Sequence, residues 1–183
     1  MKHLEKHPGD VNERDQRGLT ALHWASYRGH LPVVRYLLER GAAPSLGNDA
    51  GYRPLMVASR EGWSEVVACL LDGGADIDSV TADGRSALMF AALYAKNVGL
   101  IQILIGGGGN PNHRESSGAT VLMYGAMGGN AAVASALLRF GADLKAVDDQ
   151  GRTALFFARD RGFADVVQIL VEAEENWPGK DKS

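Results

Sequence analysis

The sequence predicts an all-α solenoid built from stacked helix-turn-helix units, and three observations carry that prediction. First, sliding the chain by 33 places (Asp15 onto Asn48) superposes Gly18 on Gly51, Leu22 on Leu55, Ala25 on Ala58 and Gly29 on Gly62. Self-similarity at a fixed period of this size is the mark of a stacked repeat protein. Second, each period holds two short apolar runs at helical spacing, such as Leu22, Ala25 and Ser26, then Val33, Val34, Leu37 and Leu38. Third, glycine punctuates both runs at constant offsets, Gly29 and Gly41 in the first unit and Gly62 and Gly74 in the second.

The first unit spans Asp15–Gly47. Thr20 suits an N-cap, because its hydroxyl can accept a bond from an orphan N–H of the first turn. Leu22, Ala25 and Ser26 face inward, and Gly29 ends the helix. A second helix is predicted over 31–40, with Val33, Val34, Leu37 and Leu38 buried. Pro32 falls in its first turn, where a missing N–H does no harm. The second unit, 48–80, is predicted to hold helices over 54–61 and 64–71. The third, 81–114, carries one extra residue near Ala95-Lys96-Asn97, in the turn between its helices. Loops absorb single insertions well. The fourth unit is 115–147 and the fifth 148–173. After Val171 the chain turns polar through 174–183, as a terminal unit with one solvated side requires.

The unit resembles the ankyrin repeat, whose T-P-L-H-x-A motif appears as Thr20-Ala21-Leu22-His23-Trp24-Ala25. The resemblance runs over residues 9–173 and implies helix pairs joined by hairpin-like loops. Gly9-Asp10-Val11-Asn12 aligns with the family's hairpin, so residues 1–14 are either the tail of a truncated repeat or an N-terminal cap. Asn12 also resembles the hairpin asparagines that asparaginyl hydroxylases recognise.

Glycine density singles out one region. Gly106 to Gly109 follow the third unit's second helix, and Gly125, Gly128 and Gly129 cluster at the fourth unit's first helix. Glycine in a helix costs about 0.5–1 kcal/mol relative to alanine, so the junction of units three and four is expected to be the softest.

Catalytic chemistry finds no foothold in the sequence. His23 and His30 stand at positions that are structural in the family, where the first bonds backbone across repeats. His113 has no ligand partner at metal-site spacing. Cys69 shares its position with Tyr36, Ile103, Ala136 and Ile169, the company of a small hydrophobe rather than a nucleophile. The four-glycine run lacks a following G-K-[ST] and lies after a helix, which rejects a phosphate loop. We therefore expect no enzyme activity, no metal and no cofactor.

Composition narrows the partners. A formal net charge of -3 gives no electrostatic reason for nucleic acid, and no apolar run approaches the ~18 residues of a membrane span. One cysteine and no secretory leader favour an intracellular, cytoplasmic or nuclear, protein. The ankyrin resemblance implies a protein-protein interaction module, expected to be monomeric, that holds a peptide or protein on a concave face. That face takes the residue after each first glycine and the end of each first helix. The candidates are Leu19, Tyr27, Arg28, Tyr52, Arg60, Arg85, Leu93, Tyr94, Met127, Arg152 and Arg161. Aromatic, Met and Arg enrichment is typical of interface cores. The alternative is a segment of a larger scaffold or regulatory protein whose activity lies outside this chain.

Overall fold

Ten helices, in five antiparallel pairs, build the computed structural model, which describes residues 9–94 and 97–176. The segment 1–8, expected to be a repeat tail or cap, lies outside the described residues, as does most of the inserted turn of the third unit. The pairs are α1 (Ala21–Tyr27) with α2 (Leu31–Glu39), α3 (Pro54–Glu61) with α4 (Ser64–Asp72), and α5 (Ala87–Tyr94) with α6 (Val98–Gly106). Then follow α7 (Val121–Gly128) with α8 (Ala131–Arg139), and α9 (Ala154–Asp160) with α10 (Ala164–Glu175). Odd-numbered helices stack in one layer, even-numbered helices in a second. No strand occurs among the described residues, only two isolated antiparallel bridges, Val80–Ser86 and Arg114–Thr120.

Helix starts follow the side chains. Thr20, Thr120 and Thr153 cap α1, α7 and α9 by accepting the N–H three residues on. Gly29 adopts φ 68, as the αL position after a helix requires. Its missing side chain also leaves room for a neighbour: a Cβ there would stand 2.6 Å from the Trp63 ring. The Trp63 indole donates to the Tyr27 carbonyl at 3.0 Å, latching the second pair onto the first.

Burial depends on place in the stack as well as on residue type. Val66, Leu100, Val133 and Val166 share the register position of Val33, and all are at most 2% exposed. Val33 itself is 44% exposed, which corrects its assignment to the buried face. No preceding unit covers it among the described residues. At the other end the position of His23, Met56, Met89 and Met123, each at most 1% exposed, is taken by Phe156 at 46%. One step further along, the buried Ser26, Ser59, Ala92 and Ala126 give way to the exposed Arg159. An arginine there suits a terminal unit, since a following unit would have to bury its charge.

The glycine-rich junction divides in two. A Cβ at Gly128 would lie 2.6 Å from the Leu93 carbonyl oxygen and 2.8 Å from that of Ala92, so α5 and α7 approach closely only because Gly128 has none. Gly109 is likewise confined, with Leu104 carbonyl oxygen 2.9 Å from its would-be Cβ. Gly106, the last residue of α6, has open space around it. Of these three positions, only Gly106 gives up helix propensity with no close contact in return.

Candidate functional site

The loops that join the pairs are set by one side chain each. Asp15 Oδ1 accepts the N–H groups of Arg17 and Leu19 at 2.8 and 2.9 Å. Asn48, Glu115 and Asp148 repeat this pattern two and four residues on, and Thr81 makes the second of the two bonds. Such local bonds fold the backbone into a tight turn. The Leu19 N–H, then that of Arg17 and the Trp24 indole, hold Asp15 below the usual carboxylate range. Burial alone would raise Asp148, but bonds from the Arg152 side chain and backbone outweigh it and keep this carboxylate ionised.

Bridges between units fix the loops side by side. Asn12 and Asn112 accept the Ala43 and Asp143 N–H groups, each at 2.7 Å. The Ser45 hydroxyl accepts the N–H of Asp76 at 2.8 Å. His23 is buried; its Nδ1 accepts the Thr20 N–H, which leaves the proton on Nε2 to donate to the Tyr52 carbonyl at 2.9 Å. Burial lowers its pKa from the ordinary value, consistent with a neutral ring. Within the third unit, His113 Nε2 donates to the Gly84 carbonyl at 2.7 Å. His30 makes no side-chain cap bond at the start of α2.

On this scaffold the expected face separates into exposed and half-buried members. Tyr27 (39% exposed), Tyr94 (52%), Arg28, Arg60 and Arg161 stand out into solvent. Leu19, Tyr52, Arg85, Leu93, Met127 and Arg152 are half-buried, and Tyr52, Leu93 and Met127 pack on the core. The Tyr52 ring meets Phe90 of the next unit at 5.5 Å. Leu19, Tyr27 and Arg28 belong to the first unit and Arg152 and Arg161 to the fifth, so the face is a strip along the stack rather than a cleft.

The sequence reading missed a recurring register position on the same first helices, exposed at Trp24 and buried at Phe90 and Tyr124. Trp24, Val57, Phe90, Tyr124 and Phe157 occupy the same place in successive first helices. Trp24 is 45% exposed, stands edge-on to Tyr27 at 6.3 Å, and donates to Asp15 Oδ2 at 3.2 Å. The Arg85 and Arg152 guanidinium groups lie over Phe90 and Phe157 at 5.7 and 4.7 Å. Tyr124 is 9% exposed, burial raises its pKa, and its hydroxyl has no hydrogen-bond partner among the described residues. An aromatic ring on a helix reads as core in a sequence, so the available signal was its recurrence at one position in four of five units.

No group of His, Cys, Asp and Glu able to hold a metal occurs among the described residues. Cys69 is half-buried between α2 and α4, away from this strip. No helix described is long and apolar enough to cross a membrane.

Comparison with known proteins agrees with the geometry. The family model for ankyrin repeats matches three times, over residues 1–81, 42–112 and 88–181. The chain belongs to the ankyrin-repeat family, a family of protein-interaction modules. It is 31% identical over 172 residues to a protein named palmitoyltransferase AKR1 of Lachancea kluyveri, covering 91% of this chain and 23% of that protein. It is 32% identical over 205 residues to the human palmitoyltransferase ZDHHC17, covering 91% of this chain and 32% of that protein. The B-cell lymphoma 3 protein homolog of Mus musculus is 31% identical over 159 residues, 84% of this chain and 35% of that protein. The chain therefore spans between 23% and 35% of the length of these relatives.

Proposed function

We propose that this chain holds a peptide or folded protein on the concave, loop-bearing face of its ankyrin stack, and that it performs no catalysis itself. The observation that carries the reading is the set of exposed aromatic side chains, Trp24 and Tyr27 in the first repeat and Tyr94 in the third, on the face where the family signature needs no apolar group. A stack braced from unit to unit presents these side chains in fixed positions, which lowers the ordering cost of binding. Residues 15–173 act as the binding unit, flanked by 1–14 and 174–183. The protein acts as a monomer in the cytoplasm or nucleus and takes no nucleic acid, in keeping with its net charge of -3. The test is affinity capture from source-cell lysate with three baits: the wild type, Tyr27→Ala/Tyr94→Ala, and Phe140→Ala at the exposed end of α8. The expected result is one partner set kept by the wild type and Phe140→Ala and lost by the tyrosine variant. Equal retention by all three baits contradicts the reading.

The share of each relative that the chain covers favours a second reading. In that reading these repeats are the recognition segment of a larger scaffold or regulatory protein, with any activity outside them. The intact mass of the endogenous polypeptide, read from an immunoprecipitate, decides between the two.

A further inference from the structure

Charge is present in the middle of the loop-bearing strip, but the protein already neutralises it. From Tyr52 to Gly128 the recurring face positions carry two cations that point along the strip. Arg60 is paired with Glu61, its Nη2 2.8 Å from Oε1. Arg85 is held by Asp83 through both Nε, at 2.7 Å, and Nη2. The one carboxylate at the fourth unit's loop, Glu115, is taken by the Ser117 and Ala119 N–H groups and the Ser117 hydroxyl. The fourth unit itself offers Ala119, Tyr124, Met127 and Gly128, none of them ionised at neutral pH.

Among the described residues, what these face positions present unpaired is apolar or phenolic. Tyr94 is the most exposed large hydrophobic side chain among the described residues, at 52%, and Leu93 and Met127 lie near it at the ends of their helices. Tyr124 adds a hydroxyl with no partner among the described residues. A carboxylate on the partner would meet Arg60 and Arg85 with Nε and Nη2 already engaged by Glu61 and Asp83. It gains little there, because the charge of each guanidinium is already balanced at a partly exposed site. An aliphatic or aromatic side chain laid against Tyr94, Leu93 and Met127 displaces only water.

We infer that the strip spanning the second to fourth repeats takes an uncharged, aliphatic or aromatic segment of its protein partner, with the Tyr124 hydroxyl bonding a polar group of that segment. This rests on the concave-face reading, and it predicts something that reading alone does not. Selection depends on apolar side chains, and affinity is nearly independent of salt.

The probe is a displayed library of random peptides, selected on the full chain. Enriched peptides are synthesised and titrated at about 0.05 and 0.5 M NaCl against the wild type, Tyr94→Ala, Arg60→Gln and Phe140→Ala. The expected peptides are apolar and free of recurrent charge. Their affinity changes less than about twofold with salt and with Arg60→Gln, and falls about tenfold or more with Tyr94→Ala. Acidic or basic peptides that lose about tenfold with salt yet still need Tyr94 overturn the inference and leave the concave-face reading standing. Peptides indifferent to Tyr94→Ala but lost with Phe140→Ala overturn both. A selection that enriches nothing also counts against the inference, because a preformed apolar strip must enrich some sequence.

Discussion

Replacing Ser26 and Ser59 by alanine should stabilise the protein. Both serines are 0% exposed, both occupy the same position in adjacent repeats, and neither hydroxyl has a hydrogen-bond partner in the structure. A buried polar group left unpaired costs about 1–3 kcal/mol. Alanine also gains about 0.5 kcal/mol of helix propensity over serine. Against this stands the small void left by one oxygen, which costs less than the ~0.8 kcal/mol of a buried methylene. The third and fourth repeats already use Ala92 and Ala126 at this position, also at 0% exposure, so the local backbone accepts a methyl group. The net expectation is about 1 kcal/mol per site and about 2 kcal/mol for the pair, which raises Tm by roughly 4–8 °C in a chain of this size. Urea unfolding followed by circular dichroism measures the change, provided the slope stays constant between variants. Ser45→Ala is the control: its hydroxyl accepts the Asp76 N–H at 2.8 Å, and its removal should cost about 1 kcal/mol. If Ser26→Ala and Ser59→Ala both lose stability, the hydroxyls are bonded in solution and the reasoning fails.

Three further comparisons follow from the same structure. Val33→Arg should cost less than about 1 kcal/mol, whereas Val66→Arg, which buries an unpaired charge, should cost more than about 3 kcal/mol by urea unfolding. Gly128→Ala should destabilise by about 1–3 kcal/mol through collision with the Leu93 carbonyl, while Gly106→Ala should stabilise by about 0.5–1 kcal/mol in the same assay. His23 has a folded pKa below its ordinary 6.5, so its contribution is complete above pH 6.5 and is lost as pH falls below that value. The decline in stability from about pH 7.5 to 5 should therefore be shallower in His23→Met, which takes the residue type of the next three repeats, than in the wild type.

Much of this was legible in the sequence because each repeat states its own geometry. Gly29, Gly62 and Gly129 take positive φ where the chain must leave a first helix, and Thr20 caps where the pattern places it. What stayed hidden depends on neighbours that a single repeat does not specify. Val33 and Val66 are the same residue at the same position, and only the presence of a preceding unit separates 44% from 2% exposure. Trp24, Phe90 and Tyr124 hold the same position, yet Trp24 is 45% exposed while Phe90 and Tyr124 are at most 9%, and a single repeat does not say which ring its neighbours cover. The pairing of Arg60 with Glu61 and of Arg85 with Asp83 depends on local geometry that spacing alone does not fix. Gly128 read as a weakness and proves to be the condition for close approach of α5 and α7.

The central claim is that recognition occurs on the loop-bearing face, and hydrogen exchange with and without a captured partner tests it most directly. The account predicts slowed exchange in the loops and first helices of the central repeats, residues 49–61, 82–94 and 116–128, with α4, α6 and α8 unchanged. Slowing confined to α4, α6 and α8 would place the partner on the opposite layer and contradict the account.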